Sequence, residues 1–446
     1  MLGVVVSRAD EASTAIGAEL HHLTDAEPVG VTDAAAGWRA DGLAVREFED
    51  RHLDLVCPAA AFPEVDVLVF ASKHAGETGK LLTAHHTGNF GPADHGGEPN
   101  ALARAAPNAH AAVVDALTAQ APPDYEVGIE CTHHGPTDVG APSLFVEVGS
   151  APDQWADEHA ARAVARAIHS LRGEPADRKP EGETEMRRQL VGFGGGHYAP
   201  RFLRVARETD WAVGHVAADW GLEALGNPTA PAARQVIRDC FTESAADVAL
   251  VAGDRPDLRS VIADLGYRVV GETWVRETDG VPLPVVVTVE DRLGRVEDGV
   301  RFGARAPERP ESVVLSTLPT ALLETACGID LERTRTVIAG STVAYTTTDG
   351  GSKPTDRVAL VEDGGRWDIV DDLADVLRTR YDVVERAEDE IVARETVFDP
   401  DLAATLGVPE GPKFGQLADG EPVEVDGCEV PPSAVETERE RRFTVR

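Results

Sequence analysis

Apolar residues fall along the chain in short β-branched runs that alternate with stretches of helical period. The runs VVV (from residue 4), VDVLVFAS (65), KLLTAHHTG (80), YEVGIEC (125), SLFVEVGS (143), QLVGFGGG (189) and DVALVAG (247) have the length and composition of buried strands. The clearest helical period covers residues 153–171, where Trp155, Ala156, Ala160, Ala163, Val164, Ala167, Ile168 and Leu171 share one face behind a Pro152-Asp153 start. Residues 172–186, with Pro175, Pro180, Gly182 and five acidic residues, predict a surface connection. Alternating strands and helices predict an α/β fold, a mixed and largely parallel sheet flanked by helices, with ligands at the carboxyl ends of the strands.

The pattern changes character after about residue 273. All fourteen histidines lie at or before His215. The expected division is therefore a catalytic domain over 1–272 and an additional C-terminal α+β domain over 273–446, of open role. A chain of 446 residues at 42% apolar composition is long enough for two cores. It has no apolar run of membrane-spanning length and no basic leader, so a soluble cytoplasmic protein is expected. Five scattered cysteines with no CxxC pair predict reduced thiols.

Charge changes the picture of the surroundings more than of the fold. Lys plus Arg number 42 and Asp plus Glu 77, a net −35, and only five of the cations are lysines. Such a surface repels itself in dilute salt, but at 1 M the Debye length falls to about 3 Å. A halophile's cytoplasm fits that balance. Against it, residues 161–207 form a basic island of ten cations and five acids. Arg162 and Arg166 lie one helical turn apart, as do Arg204 and Arg207, so with Arg201 they are candidates for nucleic-acid phosphate. A salt-bridged solvated helix is the plainer alternative.

Histidines recur where apolar runs end: His74 in VFASKH, His85 and His86 in LLTAHHTGN, His133 and His134 in IECTHHGP, and His197 in FGGGHY. One such histidine usually makes a structural hydrogen bond, but four strand ends delivering imidazoles suit a metal or acid–base site. Strand parity predicts that one of His85/His86 and one of His133/His134 faces it, with Glu130, Thr132 and His134 on one side and Cys131 and His133 on the other. Glu147, inside FVEVGS, is costly to bury unless paired or coordinating. Gly194, Gly195 and Gly196, ahead of Pro200 at a first helical position, suit an anion cradle or a tight turn.

The motifs FASKHAGETGK, LTAHHTGNFG, GIECTHHGPTDVGAPSLFVEVGS and VGFGGGHYAPRF, in this order, resemble the archaeal and plant type of D-aminoacyl-tRNA deacylase, over about residues 1–272. The resemblance implies a zinc-dependent α/β hydrolase with a core related to peptidyl-tRNA hydrolases and phosphorylases, from a halophilic archaeon. It implies two zinc ions per chain and D-aminoacyl-tRNA as substrate, freed as tRNA and D-amino acid, in a monomer without membrane association. The candidates are then His74, His86, His134 and His197 for catalysis, His85, Glu130, His133 and Glu147 for metal, and Gly194–Gly196, Thr87 and Asn89 for oxyanion or substrate. The metal and catalytic roles are interchangeable at this stage. A metal-free esterase resembling peptidyl-tRNA hydrolase and a non-catalytic tRNA-binding module stay open as alternatives. Residues 406–427, LGVPEGPKFGQLADGEPVEVDG, are similar to a segment of ribonuclease Z without that enzyme's histidine-rich metal motif.

Overall fold

The computed structural model describes residues 1–32, 35–182, 186–307, 310–361 and 365–446. It divides into two units, Met1–Gly280 and Val281–Arg446. The division thus falls past the expected 272/273. The reason is the helix Glu272–Glu277, whose Trp274 packs on Trp211 with ring centroids 5.1 Å apart, while Thr278 O accepts from Arg188 at 2.8 Å. These contacts tie the segment to the first unit.

In the first unit the strands β1 (Leu2–Ser7), β2 (Glu27–Thr32), β3 (Ala35–Ala40), β4 (Leu43–Phe48), β5 (Val67–Ala75), β6 (Leu81–His85), β7 (Glu126–Ile129) and β8 (Ser143–Ser150) form one sheet. Its order is β2-β3-β4-β1-β5-β8-β6-β7. β4, β1, β5 and β8 run parallel, β6 lies antiparallel to β8, and β7 parallels β6. Every residue of β1 and β8 is buried, as expected for strands covered on both faces. A second, wholly parallel sheet, order β10-β9-β11-β12, contains β9 (Gln189–Phe193), β10 (Ala212–Ala217), β11 (Val248–Val251) and β12 (Arg268–Val270).

Helices α1 (Glu11–His22), α2 (Pro107–Gln120) and α4 (Glu158–Ser170) pack against the first sheet and one another. The single helix expected over 153–171 is interrupted. A short α3 (Pro152–Trp155) ends, and Asp157 restarts the chain as an N-cap, its carboxylate accepting from His159 N–H and Ala160 N–H. α5 (Pro200–Glu208) begins at Pro200, as the sequence predicts, and α6 (Asp219–Leu225) follows β10.

The second unit carries a four-stranded antiparallel sheet, Val300–Phe302, Ala344–Thr348, Lys353–Val361 and Val313–Thr317, and a three-stranded one, Val383–Arg386, Glu390–Phe398 and Glu436–Thr444. Leu322, Leu323, Ile369, Leu373 and Phe443 share its core. The 406–427 stretch folds on a small core of its own with Val408, Leu417 and Val423. Among the described residues no helix is long and apolar enough to cross a membrane.

Candidate metal centre and catalytic cleft

Three adjacent strands bring the first groups together. β5 pairs with β8 so that Ser72 lies opposite Glu147 and His74 opposite Gly149. A Cβ at Gly149 would meet His74 Cβ at 2.9 Å, so glycine is what lets the imidazole lie over β8. β8 sets Glu147 opposite Thr83 and Phe145 opposite His85 of β6. Parity then separates the next pair: His85 turns toward Glu147, and His86 turns away, against His110 and His215 at centroid distances of 4.7 and 5.6 Å. His86 is therefore not brought to the centre, and its catalytic candidacy is corrected on that geometric ground.

At the second pair parity fails. β7 stops at Ile129, and His134 takes a left-handed backbone, φ 46°. His133 consequently comes within reach of both Glu130 and His134, where a continued strand would have split them. Thr132 turns aside, its hydroxyl 3.0 Å from His215 Nδ1.

The result is three overlapping groups of donors: His85, His133 and His134; Glu130, His133 and His197; and His74, Glu130 and Glu147. Within each, one ligand atom per residue lies within 4.8 Å of the others. Glu130 Oε2 is 2.7 Å from His197 Nε2 and 3.8 Å from His133 Nε2. His74 Nδ1 is 3.2 Å from Glu130 Oε1 and 3.6 Å from Glu147 Oε2. His85, His133 and His134 each anchor Nδ1 on a backbone carbonyl, of His86 (3.0 Å), Cys131 (2.8 Å) and Gly135 (2.7 Å). A carbonyl only accepts, so Nδ1 carries the proton and Nε2 presents a bare lone pair, the tautomer and orientation of a metal ligand. His85 Nε2, at 3.7 Å from Glu147 Oε1, and Glu130 Oε1, poorly aligned with His74, are buried without a hydrogen-bond partner. Orphaned donor atoms of this kind fit a cation.

The protonation states agree except at His85, where burial opposes the charge but the neighbouring Glu147 carboxylate outweighs it and raises the group. Burial pushes the Glu130 carboxyl up, but the hydrogen bond from His197 and the adjacent His74 imidazole outweigh it and hold the group well below the usual range. Glu147 is lowered in the same way, burial being outweighed by His74 and His85. Burial and the neighbouring His85 press His133 well down and His134 to about 4. His74 goes the other way: burial opposes its charge, yet the adjacent Glu130 and Glu147 carboxylates raise it to about 10. Anionic carboxylates and neutral imidazoles are the ligating forms.

A cleft of about 600 Å³ opens over this centre, walled by Asp10, His52, Lys73, Asn89, Phe145 and Trp220 beside His133, His134 and His197. Sequence reasoning overlooked several of these. Tyr198 OH lies 3.2 Å from His74 Nε2, and the Trp155 indole donates to His74 O at 2.9 Å. Asp10 caps α1 and also receives Lys73 N–H at 3.0 Å. Tyr198 adjoins a histidine already singled out and was within reach of inspection, whereas Asp10 and Trp155 carry no sequence signal beyond helix capping and helical period.

Other candidates take structural positions. Thr87 Oγ1 donates to Pro136 O at 2.7 Å, and Asn89 Nδ2 donates to Gly96 O and Glu98 O at 3.0 and 3.1 Å while still walling the cleft. Gly194 N–H donates to Ala217 O at 2.7 Å and Gly195 N–H to Asp219 Oδ1 at 2.8 Å, with φ +91° and +96°. The anion cradle expected of Gly194–Gly196 is thus replaced by a tight turn whose first two amides are already used. Of the arginines, Arg162 pairs with Glu19 at 2.8 Å, and Arg201 and Arg204 share Glu272 at 3.3 and 3.0 Å. Arg166 and Arg207 are exposed and make no ion pair among the described residues. Glu183 and Glu185, counted in the basic island, lie outside those residues.

An α/β unit with buried histidines and carboxylates gathered beneath an open cleft is an arrangement that could hold a metal ion. Comparison with known proteins is specific. The family model of D-aminoacyl-tRNA deacylase matches residues 61–270. A D-aminoacyl-tRNA deacylase of Haloarcula marismortui is 54% identical over the whole of both chains, and one of Natronomonas pharaonis 51% identical over 99% of this chain and all of that one. A third, of Methanoregula boonei, is 32% identical over 86% of each. The chain belongs to the D-aminoacyl-tRNA deacylase family. A solved structure of a conserved protein of unknown function, 28% identical, superposes with a TM-score of 0.54 over 60% of this chain and 94% of its own. The second unit is therefore shared with the halophilic relatives, whose matches span essentially the whole chain.

Proposed function

We propose that this protein hydrolyses the ester linking a D-amino acid to the terminal ribose of tRNA, releasing free tRNA and the D-amino acid, in the cytoplasm and as a monomer. Family membership supplies the reaction. The observation that carries the site assignment is the set of three Nδ1-anchored imidazoles facing two buried carboxylates, with His85 Nε2 and Glu130 Oε1 unpartnered. Residues His85, His133, His134, Glu130 and Glu147 would hold zinc, the overlap of three donor groups leaving room for two ions. Zinc bound there supplies Lewis acidity to an ester carbonyl and to water at neutral pH. The first sheet with its parallel centre is read as a core of the peptidyl-tRNA hydrolase and phosphorylase kind.

The chain's own groups divide the remaining work. His197 is the most exposed member of the cluster, with a side chain 32% accessible, and its Nε2 rests on Glu130. It is placed to take a proton from water and return one to the departing ribose oxygen. His74, held charged between Glu130 and Glu147 and touching Tyr198, fixes both carboxylates. Arg166 and Arg207 remain the proposed contacts to tRNA phosphates, with Arg162, Arg201 and Arg204 released to ion pairs that shape their helices.

The decisive experiment is deacylation of matched D- and L-aminoacyl-tRNA in molar salt, with metal analysis of the same preparation. D-aminoacyl-tRNA should be hydrolysed selectively, EDTA should abolish turnover, and zinc should restore it. Full activity in demonstrably metal-free protein would favour the metal-free esterase, and binding without turnover the tRNA-binding module.

A further inference from the structure

Trp220 is the second residue of α6 and stands 48% exposed on the wall of the cleft. Large aromatic rings in open water are costly and mark recognition surfaces when they border a polar cavity. This ring is also held still. The preceding Asp219 receives Gly195 N–H at 2.8 Å and Arg255 Nη2 at 2.6 Å, and Leu222, one half-turn on, enters the core beside Phe90. The glycine turn 194–196, which offers no anion cradle, thus fixes the start of α6.

Trp220 lines the same cleft as His197 and Glu147. Cys131 Sγ lies 3.6 Å from His197 Nδ1, and His197 Nε2 lies 2.7 Å from Glu130. A substrate whose ester sits at His197 lies in the cleft that Trp220 walls, so the nucleotide attached to that ester shares the cavity with the exposed ring. The cleft volume exceeds what an aminoacyl group fills, and Lys73, whose ammonium lies 4.6 Å from the Trp155 ring centroid, adds positive charge on the same wall without a carboxylate partner among the described residues.

We propose that Trp220 is the platform on which the 3′-terminal adenine base of tRNA stacks, so that the ribose ester is delivered to His197 in one orientation. This rests on the deacylase reading above. Every base has a π-face, so one indole serves all tRNAs alike, and the enzyme gains nucleotide recognition without base-edge hydrogen bonds. Trp220 is a binding and positioning residue; nothing in its chemistry touches the bond that breaks.

The test compares two substrates in molar salt: a D-aminoacyl-tRNA and a methyl ester of the same D-amino acid, which has no base to stack. In Trp220→Leu the ratio of kcat/KM for tRNA to kcat/KM for the methyl ester should fall about tenfold or more, carried by KM, and Trp220→Phe should recover most of it. A merely structural lesion lowers both substrates together and leaves the ratio at the wild-type value, which would overturn the proposal. A second readout is independent of turnover: adenosine 5′-monophosphate should quench tryptophan fluorescence in the wild type and lose that quench in Trp220→Leu. Equal quenching in both proteins would also overturn it. If wild-type protein spares D-aminoacyl-tRNA yet shows Trp220-dependent quenching, the deacylase reading fails and the nucleotide platform stands.

Discussion

Glu130 approaches His74, His133 and His197 at once and leaves one oxygen buried without a hydrogen bond, so no neighbour can substitute for it. Glu130→Gln keeps the shape and removes the charge that holds two imidazoles. We expect turnover of D-aminoacyl-tRNA to drop by at least about a hundredfold, with lost zinc by metal analysis and an unchanged circular dichroism spectrum. Activity within tenfold of wild type would place the chemistry elsewhere. His86 sharpens the same point by contrast: turned away from the centre, its exchange for Asn should affect stability, and kcat of the folded variant should stay within a few-fold of wild type, measured above pH 7. These residue-scale differences arise from one residue of register along β6, which sequence parity foresees, and from the left-handed turn at His134, which it does not.

At the scale of elements, the histidines outside the centre act as fasteners. His110 on α2 bonds Ala84 O at 3.2 Å, and His215 on β10 bonds Ala103 O at 2.8 Å; both are buried. Burial lowers each from 6.5 to about 4. A depressed histidine means that the unfolded chain takes up protons first as pH falls. Their contribution is therefore complete above about pH 6.5 and is lost progressively between 6.5 and 4, on the order of 3 kcal/mol per ring. The urea midpoint in constant high salt should fall across that window, with a shallower fall in His215→Gln; identical slopes would mean that His215 is not held neutral. Ion pairs settle the arginines in the same way. Arg204→Ala should cost stability, about 0.5–1 kcal/mol by thermal melting, because it frees Glu272 between α5 and the helix Glu272–Glu277. Arg207→Ala should instead weaken tRNA binding, measured by filter retention, with little change in melting. The opposite pattern would exchange their roles.

For the whole molecule, the contact boundary at Gly280 changes where the chain can be cut. Every candidate catalytic group lies in Met1–Gly280, so a chain ending there should fold and deacylate D-aminoacyl-tRNA in molar salt, with any deficit in KM. A chain ending at 271 loses Trp274 and the acceptor Thr278 O, and should melt with reduced cooperativity. If the 1–280 protein is folded by circular dichroism but has no turnover at saturating substrate, the second unit contributes to the active site. The net charge of −35 adds a solvent dependence: dilution from molar to about 0.1 M salt lengthens the Debye length from about 3 to about 10 Å and should lower the melting temperature.

The sequence by itself marked seven strands, because β-branched apolar runs suit buried strands and all seven such runs form one, whereas β2, β3, β4, β10, β12 and the strands of the second unit were not among them. It determined where the chemistry lies, because histidines were concentrated at the ends of those runs, and it determined the family through four motifs in order. Charge composition determined the kind of solvent. Tertiary structure alone decided which imidazoles meet. The end of β7 at Ile129 and the reversal at His134 put His133 within reach of both Glu130 and His134, against the two-residue period of an extended chain. It also decided that Gly194 and Gly195 spend their amides on Ala217 and Asp219, that Arg201 and Arg204 are taken by Glu272, and that Trp155, Tyr198 and Trp220 border the site. The physical reason is common to all of these. Periodicity records which face of an element is buried, whereas a site is made by loops after strand ends, where period is lost and each side chain's partner comes from a distant part of the chain.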